Sequence, residues 1–153
     1  MKVGCFSTST LAAFGLAFFG THSLAMTSQD RLFDAAWEGQ PEQVIDAIEE
    51  GVSVDKKSEY GRTPLMRAAV NNTPEVARIL IDHGADLERR DEKGYTAVLS
   101  AAEHADDTAM LEMLVEEGAD LRLRNAKGRT ALILAARSND PAMARTLVDP
   151  RNS

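Results

Sequence analysis

Beyond residue 25 the chain carries two imidazoles, His83 and His104, and no thiol, because its single cysteine is Cys5. Neither histidine has a second one at ligand spacing, so no zinc site is expected. Loss of Cys5 with the leader removes thiolate nucleophiles and Cys-ligated metals as well. No serine stands in a Gly-x-Ser-x-Gly turn, and no glycine-rich phosphate loop occurs. Glu103 and Asp106-Asp107 form an acidic patch where weak calcium binding stays open, although the ligand spacing and glycine of a dedicated calcium loop are missing. Asp86 and Asp120 are expected to hold turn backbone through side-chain hydrogen bonds and not to act as acids. The expectation is therefore a chain that is not an enzyme, with no cofactor and no resident metal.

What remains suits recognition. The only aromatic residues after position 25 are Phe33, Trp37, Tyr60 and Tyr95. Trp, Tyr and Arg are the side chains most enriched at interface hot spots, because they bury large rigid areas and keep a polar handle. Whether these rings and the guanidinium groups near them share a surface depends on the elements that carry them.

Those elements repeat. An Ala-Ala pair recurs as Ala35-Ala36, Ala68-Ala69, Ala101-Ala102 and Ala135-Ala136, in steps of 33, 33 and 34 residues. Gly51, Gly84 and Gly118 keep this phase, as do Gly61, Gly94 and Gly128. A fixed period of this size marks a stack of supersecondary units, none of which can bury its apolar face alone. Thr63 and Pro64 read as the cap and first position of a helix, and Val76, Ile79, Leu80 and Ile81 as the apolar stripe of a second. Gly84 fits a left-handed C-terminal cap, and Asp149-Pro150 ends the last helix.

The unit Gly61 to Lys93, GRTPLMRAAVNNTPEVARILIDHGADLERRDEK, resembles the ankyrin repeat, with its Gly-x-Thr-Pro-Leu-His box, Ala-Ala pair and Gly-Ala-Asp close. The resemblance implies an all-α ankyrin-repeat solenoid of about four helix-turn-helix units joined by β-hairpin-like loops. The units fall near 29–60, 61–93, 94–127 and 128–149. The box histidine is replaced by Met66, Leu99 and Ile133, so apolar packing is expected where the family has a hydrogen bond. The third unit has one extra residue near Asp106-Asp107. The first lacks Thr-Pro, and the fourth stops before Gly-Ala-Asp. Atypical end units are expected to cap the stack with a polar outer face.

In this family the partner meets the loop tips and the exposed side of each first helix, its concave face. Carried over position by position, the resemblance implies a protein-binding set. It comprises Trp37 and Glu38; Glu59, Tyr60, Arg62, Val70 and Asn71; Glu92, Lys93, Tyr95, Glu103 and His104; and Lys127, Arg129 and Arg137. Ala126 and Ser138 fall at corresponding positions. Trp37, Tyr60 and Tyr95 would anchor the partner, flanked by Arg62, Arg129 and Arg137, while Phe33 belongs to the core. Two alternatives stay open. Trp37 covers the exposed first unit, or the Tyr rings simply pack across neighbouring loops.

The first 25 residues are a different material. Lys2 is the only charge before Asp30, Leu11 to Gly20 is an apolar run, and Ser23-Leu24-Ala25 offers small residues for cleavage. These are the features of a secretory signal peptide cut after Ala25, and the run is too short for a comfortable membrane span. Cys5 precedes the apolar run, which excludes it as a lipid attachment site. Residues 26–153 are then expected as one periplasmic domain of a bacterial protein, or alternatively a secreted one, monomeric and without a membrane span. Loss of Lys2 moves the formal net charge from −7 to −8. Such an acidic chain lacks the basic footprint of nucleic-acid binding. Its loops 52–62, 85–95 and 119–129 are net basic while the helices are strongly acidic, which either serves solubility or steers an acidic partner. The resemblance implies another protein as partner: a periplasmic enzyme, such as a stress-defence enzyme, that is stabilised; a hydrolase that is inhibited; or a host protein bound by a secreted effector.

Overall fold

The computed structural model describes residues 26–104, 106, 108–138 and 140–148. The signal-peptide reading, Asp107 of the acidic patch and the Asp149-Pro150 stop all lie outside the described residues. Eight helices follow one another: α1 (Ser28–Glu38), α2 (Pro41–Glu49), α3 (Pro64–Val70), α4 (Pro74–Asp82), α5 (Ala97–His104), α6 (Ala109–Glu116), α7 (Ala131–Arg137) and α8 (Pro141–Val148). They pair as α1–α2, α3–α4, α5–α6 and α7–α8. First helices pack on first helices and second on second along the stack. Each pair buries one stripe against its neighbours, so a single apolar core runs the length of the domain.

Local chemistry sets each helix start. Thr63 Oγ1 accepts from the Met66 N–H at 3.3 Å and Pro64 follows at the first helical position, as the sequence implies. Thr96 does the same for Leu99. The first unit, which has no Thr-Pro, is closed instead by a capping box in which Thr27 and Asp30 exchange hydrogen bonds. The alanine pairs at 35–36, 68–69 and 101–102 are at most 1 % exposed, and that small size lets consecutive first helices approach closely.

The loops are reverse turns; no strand is formed among the described residues. Asp91 N–H donates to Tyr95 O and Gly94 N–H to Asp91 O, a pattern repeated at 125–129 and 58–62. Adjacent tips are then stitched together. Glu92 N–H reaches Tyr60 O at 3.4 Å, Ala126 N–H reaches Lys93 O at 2.9 Å, and Lys57 Nζ donates to Arg90 O at 2.6 Å. Gly94 must be glycine for two reasons. Its φ is +75°, and a Cβ there would lie 2.9 Å from the Ala126 nitrogen. Asp86 and Asp120 each accept a hydrogen bond from the N–H two residues on, the turn-holding role expected of them.

One expectation is corrected. The N-terminal end is polar, with Arg31 paired to Glu50 at 2.6 Å, but the C-terminal end is not. Met66 and Leu99 are buried in place of the family's histidine, whereas the equivalent Ile133 is 42 % exposed, together with Leu132 and Val148. Leu132 and Ile133 hold positions that are buried in the three earlier units, and no further unit follows them among the described residues.

Candidate functional site

A furrow runs where the loop tips meet the first helices. Its first stretch is a cleft of about 590 Å³ between α1 and the first tip, bounded by Asp30, Phe33, Asp34, Lys56, Tyr60 and Arg67. It continues through Tyr60, Arg62, Asp91, Glu92 and Lys93. The far stretch, about 530 Å³, is walled by Arg62, Val70, Tyr95, Glu103, His104 and Lys127. Shared walls at Tyr60, Arg62 and Lys93 make these one channel, open to solvent along its length.

Ten of the expected residues line this furrow: Glu59, Tyr60, Arg62, Val70, Glu92, Lys93, Tyr95, Glu103, His104 and Lys127. Tyr60 stands out at 64 % exposure, a ring largely open to solvent. Arg62 is less free: its Nε lies 3.7 Å from the Asp91 carboxylate, whose side chain is only 4 % exposed. Tyr95 is half-buried and packs against the core. Burial pushes its phenol above the ordinary tyrosine range, and hydrogen bonding to the Glu103 carboxylate adds to this, while the Asn125 amide and the Arg129 guanidinium act the other way. Arg129, on the third tip, is thus close enough for its charge to act on the Tyr95 phenol. Of the two alternatives for the rings, packing between loops describes Tyr95 and not Tyr60.

The remaining expected residues lie outside the channel's walls. Trp37, 39 % exposed, ends α1 with the Arg67 guanidinium 5.4 Å from its ring centroid, a cation–π contact between the first two units. Asn71 donates its side-chain amide to the Trp37 carbonyl, which ties it to the same seam. Glu38 accepts from Gln40 Nε2 at 2.6 Å. Arg137 is exposed at the end of α7. His104 Nε2 is 3.6 Å from Glu103 Oε2, and His83 Nδ1 is 2.7 Å from the Ile79 carbonyl. No group of three or more His, Cys, Asp or Glu converges on a metal position among the described residues.

Sequence reasoning missed the residues that hold the tips in line. Asp91 Oδ1 accepts from Lys93 N–H at 2.9 Å and from Tyr95 N–H at 2.8 Å. Asn125 Oδ1 accepts from Lys127 N–H and Arg129 N–H, both at 3.0 Å, and Ser58 Oγ accepts from Arg62 N–H at 3.3 Å. Ser58, Asp91 and Asn125 keep the repeat phase, and each is a short side chain with an accepting oxygen. That periodic oxygen is the signal from which they could have been found. Charge in the furrow is mixed. The acids of α1 and α5 face the basic residues of the tips, so the loops' basic excess does not become a basic channel.

Two family models match the sequence of this chain. One, described as ankyrin repeats in three copies, covers residues 32–125. A second, described as an ankyrin repeat, covers residues 127–152. The chain belongs to the ankyrin-repeat family. No curated protein matches it. Ankyrin repeats mark a protein-binding module, and the all-α solenoid expected from the sequence is the observed architecture. Among the described residues, no helix is long and apolar enough to cross a membrane.

Proposed function

We propose that this ankyrin-repeat chain is a non-enzymatic binding module exported to the bacterial periplasm, where a folded partner protein docks along the tip-side furrow. The observation that carries this is the 64 % exposure of Tyr60 at the centre of an open channel with mixed charge. A large rigid ring held ready on stitched turns loses little freedom on binding. Around it, Glu59, Glu92, Lys93 and Lys127 offer both signs of charge, which favours a polar protein surface over a uniformly charged ligand. Arg67 walls the first stretch while its guanidinium sits over the Trp37 ring, and Tyr95 walls the far stretch. Export rests on the leader, and its test is fractionation for a product that begins near Met26. The docking face is tested by placing a photo-crosslinker at position 60 and, as control, at Arg78 on α4. An adduct from position 60 alone is expected; an adduct from position 78 alone would move the partner to the other face. A partner that is protected gains half-life when bound, while one that is inhibited loses activity.

A further inference from the structure

The furrow is mixed in charge, and the basic excess of the loops lies elsewhere. The loop acids are already engaged. Asp55 accepts from the Asp86 N–H at 2.9 Å and Glu88 from the Asp120 N–H at 2.8 Å, an in-phase staple between successive loops. Asp86 and Asp120 hold their own turns, and Asp91 lies against Arg62. Glu59 and Glu92 wall the furrow. Every carboxylate of residues 52–62, 85–95 and 119–129 is thus turned to backbone, to a neighbouring guanidinium or to the furrow.

Three cations have no such partner. Lys57, Arg90 and Arg124 recur in steps of 33 and 34 residues, one on each loop just before its turn, and all are exposed. None is ion-paired among the described residues. Their side chains meet only carbonyls: Lys57 Nζ donates to Arg90 O at 2.6 Å and Arg124 Nη1 to Gly128 O at 2.9 Å. A carbonyl steadies the side chain and leaves its charge uncompensated. The three therefore form a basic row that advances one unit at a time along the stack. Because first helices pack on first helices, that step is about 8–10 Å. Arg90 and Arg124 stand outside the furrow, and only Lys57 shares a wall with its first stretch.

We infer that this row is a second contact surface, which takes an extended acidic segment of a partner protein. Two of its three members are arginines, whose planar forks match carboxylates with paired hydrogen bonds. A chain in the polyproline II form has three residues per turn and advances about 9 Å in that turn. A carboxylate at every third residue then meets one cation per unit. A lipid surface fits less well, since of the exposed large apolar side chains only Tyr60 lies in these loops. The chain as a whole is acidic, but at physiological ionic strength screening over about 8 Å hides the acids of the helices from a ligand on the loops. The row does not depend on docking in the furrow, so either can fail without the other.

Fluorescence anisotropy of a labelled peptide of repeated Glu-Pro-Ser triplets, titrated with the purified chain, tests this. Expected is binding at physiological salt that fades in molar salt and is absent for the matching Gln-Pro-Ser peptide. The double variant Arg90→Glu, Arg124→Glu should bind at least about tenfold more weakly, because two attractions become repulsions. Arg90→Glu alone should show part of that loss with an unchanged melting curve, since the Arg90 side chain holds no other group. Arg137→Glu, the same charge change off the row, and Tyr60→Ala, in the furrow, should bind as the parent does. No binding, or equal binding of both peptides, would overturn the proposal. So would an equal loss in Arg137→Glu, which means diffuse charge, or a loss in Tyr60→Ala, which moves the peptide into the furrow. Binding to phosphatidylglycerol vesicles without binding to the peptide would put a membrane on the row and overturn it equally.

Discussion

Replacing Gly94 by alanine should cost the domain distinctly more than replacing Gly128 by alanine, although both lie at almost the same backbone angle. Their φ values are +75° and +73°, so each alanine carries the same left-handed strain of about 1–2 kcal/mol. The gain from a stiffer unfolded chain is also common to both. The difference lies in what the new methyl meets. At Gly128 there is nothing within 4 Å, while at Gly94 it would stand 2.9 Å from the Ala126 nitrogen and 3.3 Å from the Asn125 backbone. That nitrogen donates to Lys93 O at 2.9 Å, so the tips must part and the hydrogen bond is lost. Such a bond contributes about 1 kcal/mol net, which is the expected excess loss in Gly94→Ala. In a domain of this size, that is a melting temperature about 4 °C lower than in Gly128→Ala. Urea unfolding followed by circular dichroism measures both. Equal losses would refute the idea that contact between tips, and not turn geometry alone, aligns the furrow.

Two other outcomes depend on pH. In a Tyr60→Phe background, ultraviolet titration should show Tyr95 ionising above the ordinary tyrosine range, and Glu103→Gln should bring it down; an unmoved titration would remove Glu103 from the node. Since the folded value is raised, the folded state holds its phenolic proton longer, and stability falls as pH climbs past the unfolded tyrosine value. Asp30 is shifted the other way: the Thr27 N–H, followed by the Thr27 hydroxyl, holds its carboxyl below the usual range. Its contribution is present above the unfolded carboxylate value and lost as pH falls through the folded one. Trp37 fluorescence should therefore report loosening of α1 in acid, with a weaker pH response in Asp30→Asn; an identical acid limb would contradict the capping role.

The fold was legible because its signals are periodic. Alanine pairs, Thr-Pro starts and in-phase glycines each have one physical reading, and over four units those readings agree. The furrow was legible in outline for the same reason, since position in the repeat decides which side chains reach it. What did not show was how individual groups are engaged. Tyr60 is in phase with Lys93 at the tip itself, whereas Tyr95 is in phase with Arg62 at the helix side of the turn, where Glu103, Asn125 and Arg129 act on its phenol. Asn71 reads as exposed amide but spends its donor on the Trp37 carbonyl, a contact across 34 residues. The bare C-terminal face was hidden by the opposite route. Leu132 and Ile133 repeat the pattern of buried residues, and they are exposed because no further unit follows among the described residues, not because of their type.

Binding of the cross-linked partner to Tyr60→Ala, measured beside the parent chain and Ile133→Glu, tests the docking face most directly. With its ring largely exposed, Tyr60 contributes little to folding, so the melting temperature should hold. A central aromatic anchor costs about 2 kcal/mol or more when truncated, so affinity should fall roughly 30-fold or further. Ile133→Glu should bind as the parent does. Full affinity in Tyr60→Ala with loss in Ile133→Glu would contradict the account and put the partner on the C-terminal face instead.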